Sequence, residues 1–158
     1  MTGLRSLIVI IAVVFGALRL AHVGIPLVFP EARLGPVAIA SLDDVRRQAG
    51  FAPILPAYRP ASLGDRPVSM TLTFSPWRTL TVVWQSGPES LTITQRRGGP
   101  KPAEPPLARP FEDVPDSTWW TDGARSHLIL ARGDFWIAIE TSLPVRDLRR
   151  FADTLREF

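Results

Sequence analysis

"LPVRDLRRFADTLREF", residues 143–158, decides how the rest of the chain is read. Pro144 suits the first turn of a helix, because its ring pre-sets φ and the N–H it lacks would have no partner there. Val145, Leu148, Phe151, Ala152, Leu155 and Phe158 then fall at helical spacing on one face, with arginines and acids opposite. So clear an apolar stripe needs a surface to bury it, and the upstream sequence offers one. In "VSMTLTF" (68–74), Val68, Met70, Leu72 and Phe74 alternate with Ser69, Thr71 and Thr73. In "TLTVVWQ" (79–85), Leu80, Val82 and Trp84 alternate with Thr79, Thr81 and Gln85, with Val83 as the exception, and in "LTIT" (91–94) Leu91 and Ile93 alternate with Thr92 and Thr94. Alternation of period two with β-branched polar partners marks half-buried antiparallel strands.

Short turn sequences, "SPWR" and "GPE", separate these runs. Further on, "STWWT" (117–121), "SHLILA" (126–131) and "FWIAIET" (135–141) are joined by the turn residues Asp122-Gly123 and Gly133-Asp134. The expected fold is α+β: an antiparallel sheet of five to six strands, one face apolar and the other rich in threonine. The C-terminal helix covers the apolar face. Its companion is a short helix in "SLDDVRRQAG" (41–50), where Ser41 caps, Asp44 completes a capping-box-like start, and Gly50 ends it. After that helix "GFAPILPAYRP" (50–60) bends along the core; its prolines favour extended backbone, which can lie there without completing a sheet ladder. Residues 96–115 hold six prolines and two glycines and read as a long, mobile or polyproline-like surface loop.

Ahead of the domain, residues 6–18 form an uncharged apolar run of thirteen after Arg5. A bilayer core needs about twenty, so the run suits a signal-peptide core. Arg19 could instead snorkel and let residues 3–23 anchor the chain. Residues 1–23 are therefore a hydrophobic signal anchor or signal peptide, residues 24–40 a spacer, and residues 41–158 the extracytoplasmic domain.

Composition excludes several function classes. Lys+Arg exceeds Asp+Glu by 18 to 15, and every cation except Lys101 is arginine. No basic stripe or recognition motif accompanies this excess, so no nucleic-acid partner is expected. The absence of cysteine removes disulfides, thiolate zinc sites, cysteine nucleophiles and lipid attachment through cysteine. His22 and His127 do not make a metal pair by spacing. Ser117, Asp122 and His127 contain the residue types of a nucleophilic triad but lack a nucleophile elbow, so His127 reads as a solvent-facing strand residue. Asp43-Asp44 and Glu112-Asp113 read as capping and solvation, and Arg132-Gly133-Asp134 as a hairpin turn. No enzyme activity, cofactor or metal is expected.

The aromatic residues are the candidate binding groups. Trp136, Val83 and Ile129 break the core parity of their strands; if the register joins them, they form an apolar island on the threonine face, unless the proline-rich loop covers them. Trp119 and Trp120 must point to opposite faces, and Trp77, in a turn, is placed to reach lipid headgroups. The expected binding residues are Trp119, Trp120, Trp136, Ile129 and Val83.

The ordered set of a short helix, "GFAPILPAYRP", "VSMTLTF", "LTITQ" and "FWIAIETSLPVRDLRRFADTL" resembles the bacterial extracytoplasmic domain-of-unknown-function family 4367 over roughly residues 41–157. The resemblance implies an α+β fold outside the membrane and no catalytic residues. Some members are similar to anti-sigma factors or sporulation proteins. This chain has about five residues before its apolar run and no zinc-binding cysteines, so direct sigma-factor binding is not expected. The expected function is a non-enzymatic, membrane-tethered binding or sensing module of the cell envelope. The alternative is an envelope carrier or accessory chaperone holding an apolar ligand or lipid on the sheet, which needs a continuous apolar concavity. Its partners are then the membrane, through the N-terminal segment, and an envelope protein or apolar ligand. It sits in the cell membrane as a single-pass protein with an extracytoplasmic C-terminal domain, or is secreted if residues 1–23 are cleaved.

Each buried Leu or Phe of the C-terminal stripe contributes about 1.5–3 kcal/mol. Deleting residues 143–158 should therefore abolish the cooperative thermal transition; a sharp, unaltered melt would contradict the reading.

Overall fold

The computed structural model describes residues 35–158 and, before them, Val14 alone. The anchor or signal segment, 1–23, and residues 24–34 of the spacer lie outside the described residues. No helix among those described is long and apolar enough to cross a membrane. In chain order the elements are β1 (Val37–Ala38), α1 (Leu42–Ala49), β2 (Ile54–Pro56), β3 (Ser69–Thr73), β4 (Thr79–Ser86), β5 (Glu89–Arg97), β6 (Arg109–Pro110), β7 (Ser117–Thr121), β8 (Ser126–Arg132), β9 (Phe135–Thr141), α2 (Val145–Asp153) and β10 (Leu155–Glu157).

Two antiparallel meanders make the main sheet. One runs β3-β4-β5, the other β6-β7-β8-β9, and they meet where β5 pairs antiparallel with β9, giving the order β1-β3-β4-β5-β9-β8-β7-β6. The period-two pattern then lines up across strands. Leu72, Leu80, Gln95, Ile137 and Leu130 form one row of the core face; Val82, Ile93, Ile139 and Leu128 form the next. All are buried. The sheet has eight strands instead of five to six because β1 and β6 are two-residue edges, too short to show alternation. β1 lies inside the expected spacer, where Ile39 is buried and donates its N–H to Met70 O at 2.8 Å.

Both helices end where local chemistry ends them. Ser41 Oγ accepts from Asp44 N and donates to Asp44 Oδ2, which fixes the start of α1. Gly50, at φ 72°, closes it in the left-handed region that glycine enters without penalty. Val45 and Ala49 face the core, and Phe51 beyond the cap meets Phe135 edge-on at 5.2 Å. The helix itself packs against β4, and the residue that follows its cap reaches the start of β9. In α2, Leu148, Phe151 and Ala152 are buried, and the Tyr58 hydroxyl donates to the buried Asp147 carboxylate at 3.0 Å.

Two expectations fail together in the last residues. The helix stops at Asp153, with the Thr154 hydroxyl donating to Arg150 O, and Leu155 enters β10 while staying buried. β10 pairs antiparallel with β2, so the proline-rich bend does complete a ladder. Its prolines are tolerated by position. Phe158 N donates to Pro53 O and Ala57 N to Thr154 O, both at 2.9 Å, so on the β2 side the ladder bonds fall on odd-numbered positions and on the β10 side on even-numbered ones. Pro53 is needed only as an acceptor, and Pro56 sits where no N–H is required.

Leu148→Ala in the full chain should lower the free energy of unfolding by about 2–5 kcal/mol, measured by denaturant titration. Val145→Ala, at a position 38% exposed, should lower it by less than about 1 kcal/mol.

Candidate functional site

The register does not unite the three off-parity residues. Ile129 lies opposite Ala138 and Trp136 opposite Ala131, so these two are diagonal neighbours across β8 and β9. Val83 pairs with Ser69 and Thr92, and β5 separates it from the others. Ile129 faces outward yet is 3% exposed. The proline-rich segment covers it. Trp136 Nε1 donates to Gly99 O at 3.1 Å, Arg96 donates to Pro100 O, and Thr118 Oγ1 donates to Glu104, which also binds Lys101 at 2.6 Å. The segment is a strap tied across β9, β8 and β7. Gly99 adopts φ 81°, and a Cβ there would lie 2.9 Å from the Trp77 ring, so one side of Trp77 is occupied by the strap.

Trp119 and Trp120 do take opposite faces. Trp120 stacks on His127 with centroids 5.0 Å apart and planes 5° from parallel. His127 therefore has an indole cover, which corrects the expectation of a solvent-facing residue. Its Nε2 is 3.0 Å from Asp122 Oδ2 and its Nδ1 3.8 Å from Glu140 Oε2, while Arg125 pairs with Glu140. Ser117 is not part of this cluster. It lies opposite Leu130 on the core face, where its hydroxyl donates to Val114 O at 2.6 Å. The Asp122–His127 pair thus forms without Ser117.

Trp119 turns toward the core side and meets Phe111 edge-on at 5.9 Å. Here α2, which packs over β8, parts from the β6–β7 edge and leaves a groove of about 390 Å³. Arg109, Phe111 and Trp119 form one wall; Val145, Arg146 and Arg149 form the other, with Glu112 at the rim. Arg146 and Arg149 share a side of α2 because they are three residues apart. Arg149 binds Asp113 at 2.7 Å, and that bond raises its pKa further above the ordinary arginine value. Arg146 is 80% exposed and, among the described residues, pairs with Asp147 alone, at 3.9 Å. Arg109 makes no ion pair among the described residues. A second hollow of about 260 Å³ adjoins the first, sharing Arg109 and Trp119 and adding Leu107 and Trp120. Cationic rims around an aromatic floor suit an anionic group carried on an apolar or aromatic body.

No family model and no curated protein sequence matches this chain.

Of the expected binding residues, Trp119 and Trp120 line these hollows, Trp136 and Ile129 lie under or against the strap, and Val83 stands apart. Arg109, Arg146 and Arg149 were not singled out by the sequence. Their spacing on α2 was visible, but the return of Arg109 beside them depends on where the strap ends.

Asp122 is held below its ordinary value of 3.8, chiefly by the His127 hydrogen bond and then by the Arg125 backbone N–H. A depressed folded-state pKa stabilises above the unfolded value and is lost as pH falls through the folded one. Asp122→Asn should therefore flatten the loss of stability on acidification below about pH 4, read from melting temperature against pH. An unchanged acid limb would contradict the pairing.

Proposed function

We propose that this chain is a non-enzymatic, membrane-tethered binding module of the bacterial cell envelope. In this reading the domain stands outside the membrane and grips an acidic, aromatic-containing segment of a partner protein in the groove between β6–β7 and α2. The observation that carries the reading is the groove itself: three arginines around the Phe111–Trp119 floor, with Arg109 and Arg146 largely uncommitted to acids of this chain. The extracytoplasmic placement rests on the uncharged apolar run at residues 6–18, which suits a signal peptide or signal anchor. The carrier alternative is less favoured. The outer face of the sheet is threonine-rich and partly strapped, and the core face is covered by α1, α2 and the β2–β10 pair, with separate hollows left toward its two ends.

The test is fluorescence anisotropy of a labelled acidic-aromatic peptide with the full chain in nonionic detergent. Saturable binding should weaken about tenfold in the Arg109→Ala, Arg146→Ala double variant and fall with added salt, because the attraction is rim electrostatics. Binding that ignores both changes would overturn the reading.

A further inference from the structure

At the opposite end of the sheet, a further cavity of about 370 Å³ lies between the start of α1, the loop that follows the short helical turn Ala61–Leu63, and the β3–β4 pair. Leu42, Leu55, Met70 and Phe158 form its apolar lining, and Arg59 and Trp84 also face on it. We propose that this cavity binds a small apolar monocarboxylate, recognised by the Arg59 guanidinium and the Trp84 indole N–H. The site is separate from the groove at β6–β7 and does not rest on its occupant.

The first argument is a pair of stranded donors. Trp84 is 1% exposed, yet among the described residues its Nε1 has no acceptor, and Arg59 Nε is likewise buried without one. The two side chains stack, with the guanidinium carbon 5.4 Å from the indole centroid. A buried donor left unpaired is costly, more so when charged, so two in contact on one cavity wall call for an acceptor that the described residues do not supply. Core packing alone does not require an indole here; a phenyl ring would fill an apolar row without an orphaned N–H.

Charge narrows the class. Arg59 and Arg66 line the cavity, neither makes an ion pair among the described residues, and Asp65 is the one acid beside them. The local balance is a single positive charge, which suits a monoanion better than a phosphate dianion and repels an amine. A carboxylate presents acceptor oxygens alone, matching donors of this geometry, and the guanidinium is the side chain best shaped to receive it. The apolar lining then takes the remainder of the ligand. The volume lies at the lower end of the range for small-molecule sites, so a short chain or single ring fits and a full lipid does not.

The experiment follows the Trp84 indole N–H by NMR in the full ¹⁵N-labelled chain in nonionic detergent, with the signal assigned through Trp84→Phe. Hexanoate should shift it downfield and saturate. Acetate, which lacks the tail, hexanol, which lacks the charge, and inorganic phosphate should each need at least about tenfold higher concentration for the same shift. Arg59→Gln should weaken hexanoate about tenfold or more, and Arg66→Gln, at the exposed mouth, about two- to fivefold, in variants that keep the wild-type melting temperature. If Arg59→Gln does not fold, the Arg66 variant and the probe series carry the test. A Trp84 signal unmoved by hexanoate, or moved as readily by hexanol or phosphate, overturns the proposal. So does undiminished hexanoate binding in both arginine variants.

Discussion

The apolar face of an eight-stranded sheet has to be sealed, and that constraint organises everything else in the domain. Eight strands span about 34 Å, whereas the nine residues of α2 reach only about 13 Å. The closing helix alone is too short. The remainder is covered by α1 and by β2 with β10, which lie against the sheet as a second, two-stranded layer. Laying bare backbone on an apolar face raises its own difficulty, since an inward-pointing N–H would have no partner. Gln95 answers it. In the middle of a row of leucines and isoleucines, its Oε1 accepts from Ile54 N at 2.8 Å, joining the two sheets through a fully buried amide. Its Nε2 has no acceptor among the described residues, so the link carries a local cost.

The opposite face is shaped by chain connectivity. β5 ends at the centre of the sheet and β6 begins at its far edge, so the intervening segment must cross. It crosses over the outer face, and its backbone carbonyls take donors from Trp136 and Arg96 while Glu104 takes one from Thr118. One feature of the sequence, proline-rich and without periodicity, thereby does three things. It joins the two meanders, hides Ile129, and delivers Arg109 to the rim of the α2 groove. The threonine rows of β3, β4 and β5 and the Trp120–His127 stack stay on the uncovered part of that face.

Much of this architecture was legible because its signals are local. Period-two alternation identified five of the longer strands, the Asp122-Gly123 turn set off β7, the serine cap and Gly50 bounded α1, and parity placed Trp84 inside. What could not be read depends on contacts distant in sequence. β1 and β6 are two-residue edges defined only by their neighbours. Leu155 fits a helical stripe as well as a buried strand position, and nothing local separates the two. The β2–β10 ladder was discounted on its prolines, whose effect depends on which positions the partner strand bonds. The candidate groove was hidden for the same reason: Trp119 was visible as an unusual side chain, but its juxtaposition with Arg146 and Arg149 follows from the order of strands in the sheet.

Native-state amide hydrogen exchange in increasing denaturant tests most directly whether the second layer seals the sheet. If it does, the amides of Ile54, Ala57 and Phe158 exchange only through global opening, with the same denaturant dependence as those of Ile93 and Ile139 at the sheet centre. Fast, denaturant-independent exchange at Ile54, Ala57 and Phe158 while Ile93 and Ile139 remain protected would contradict it.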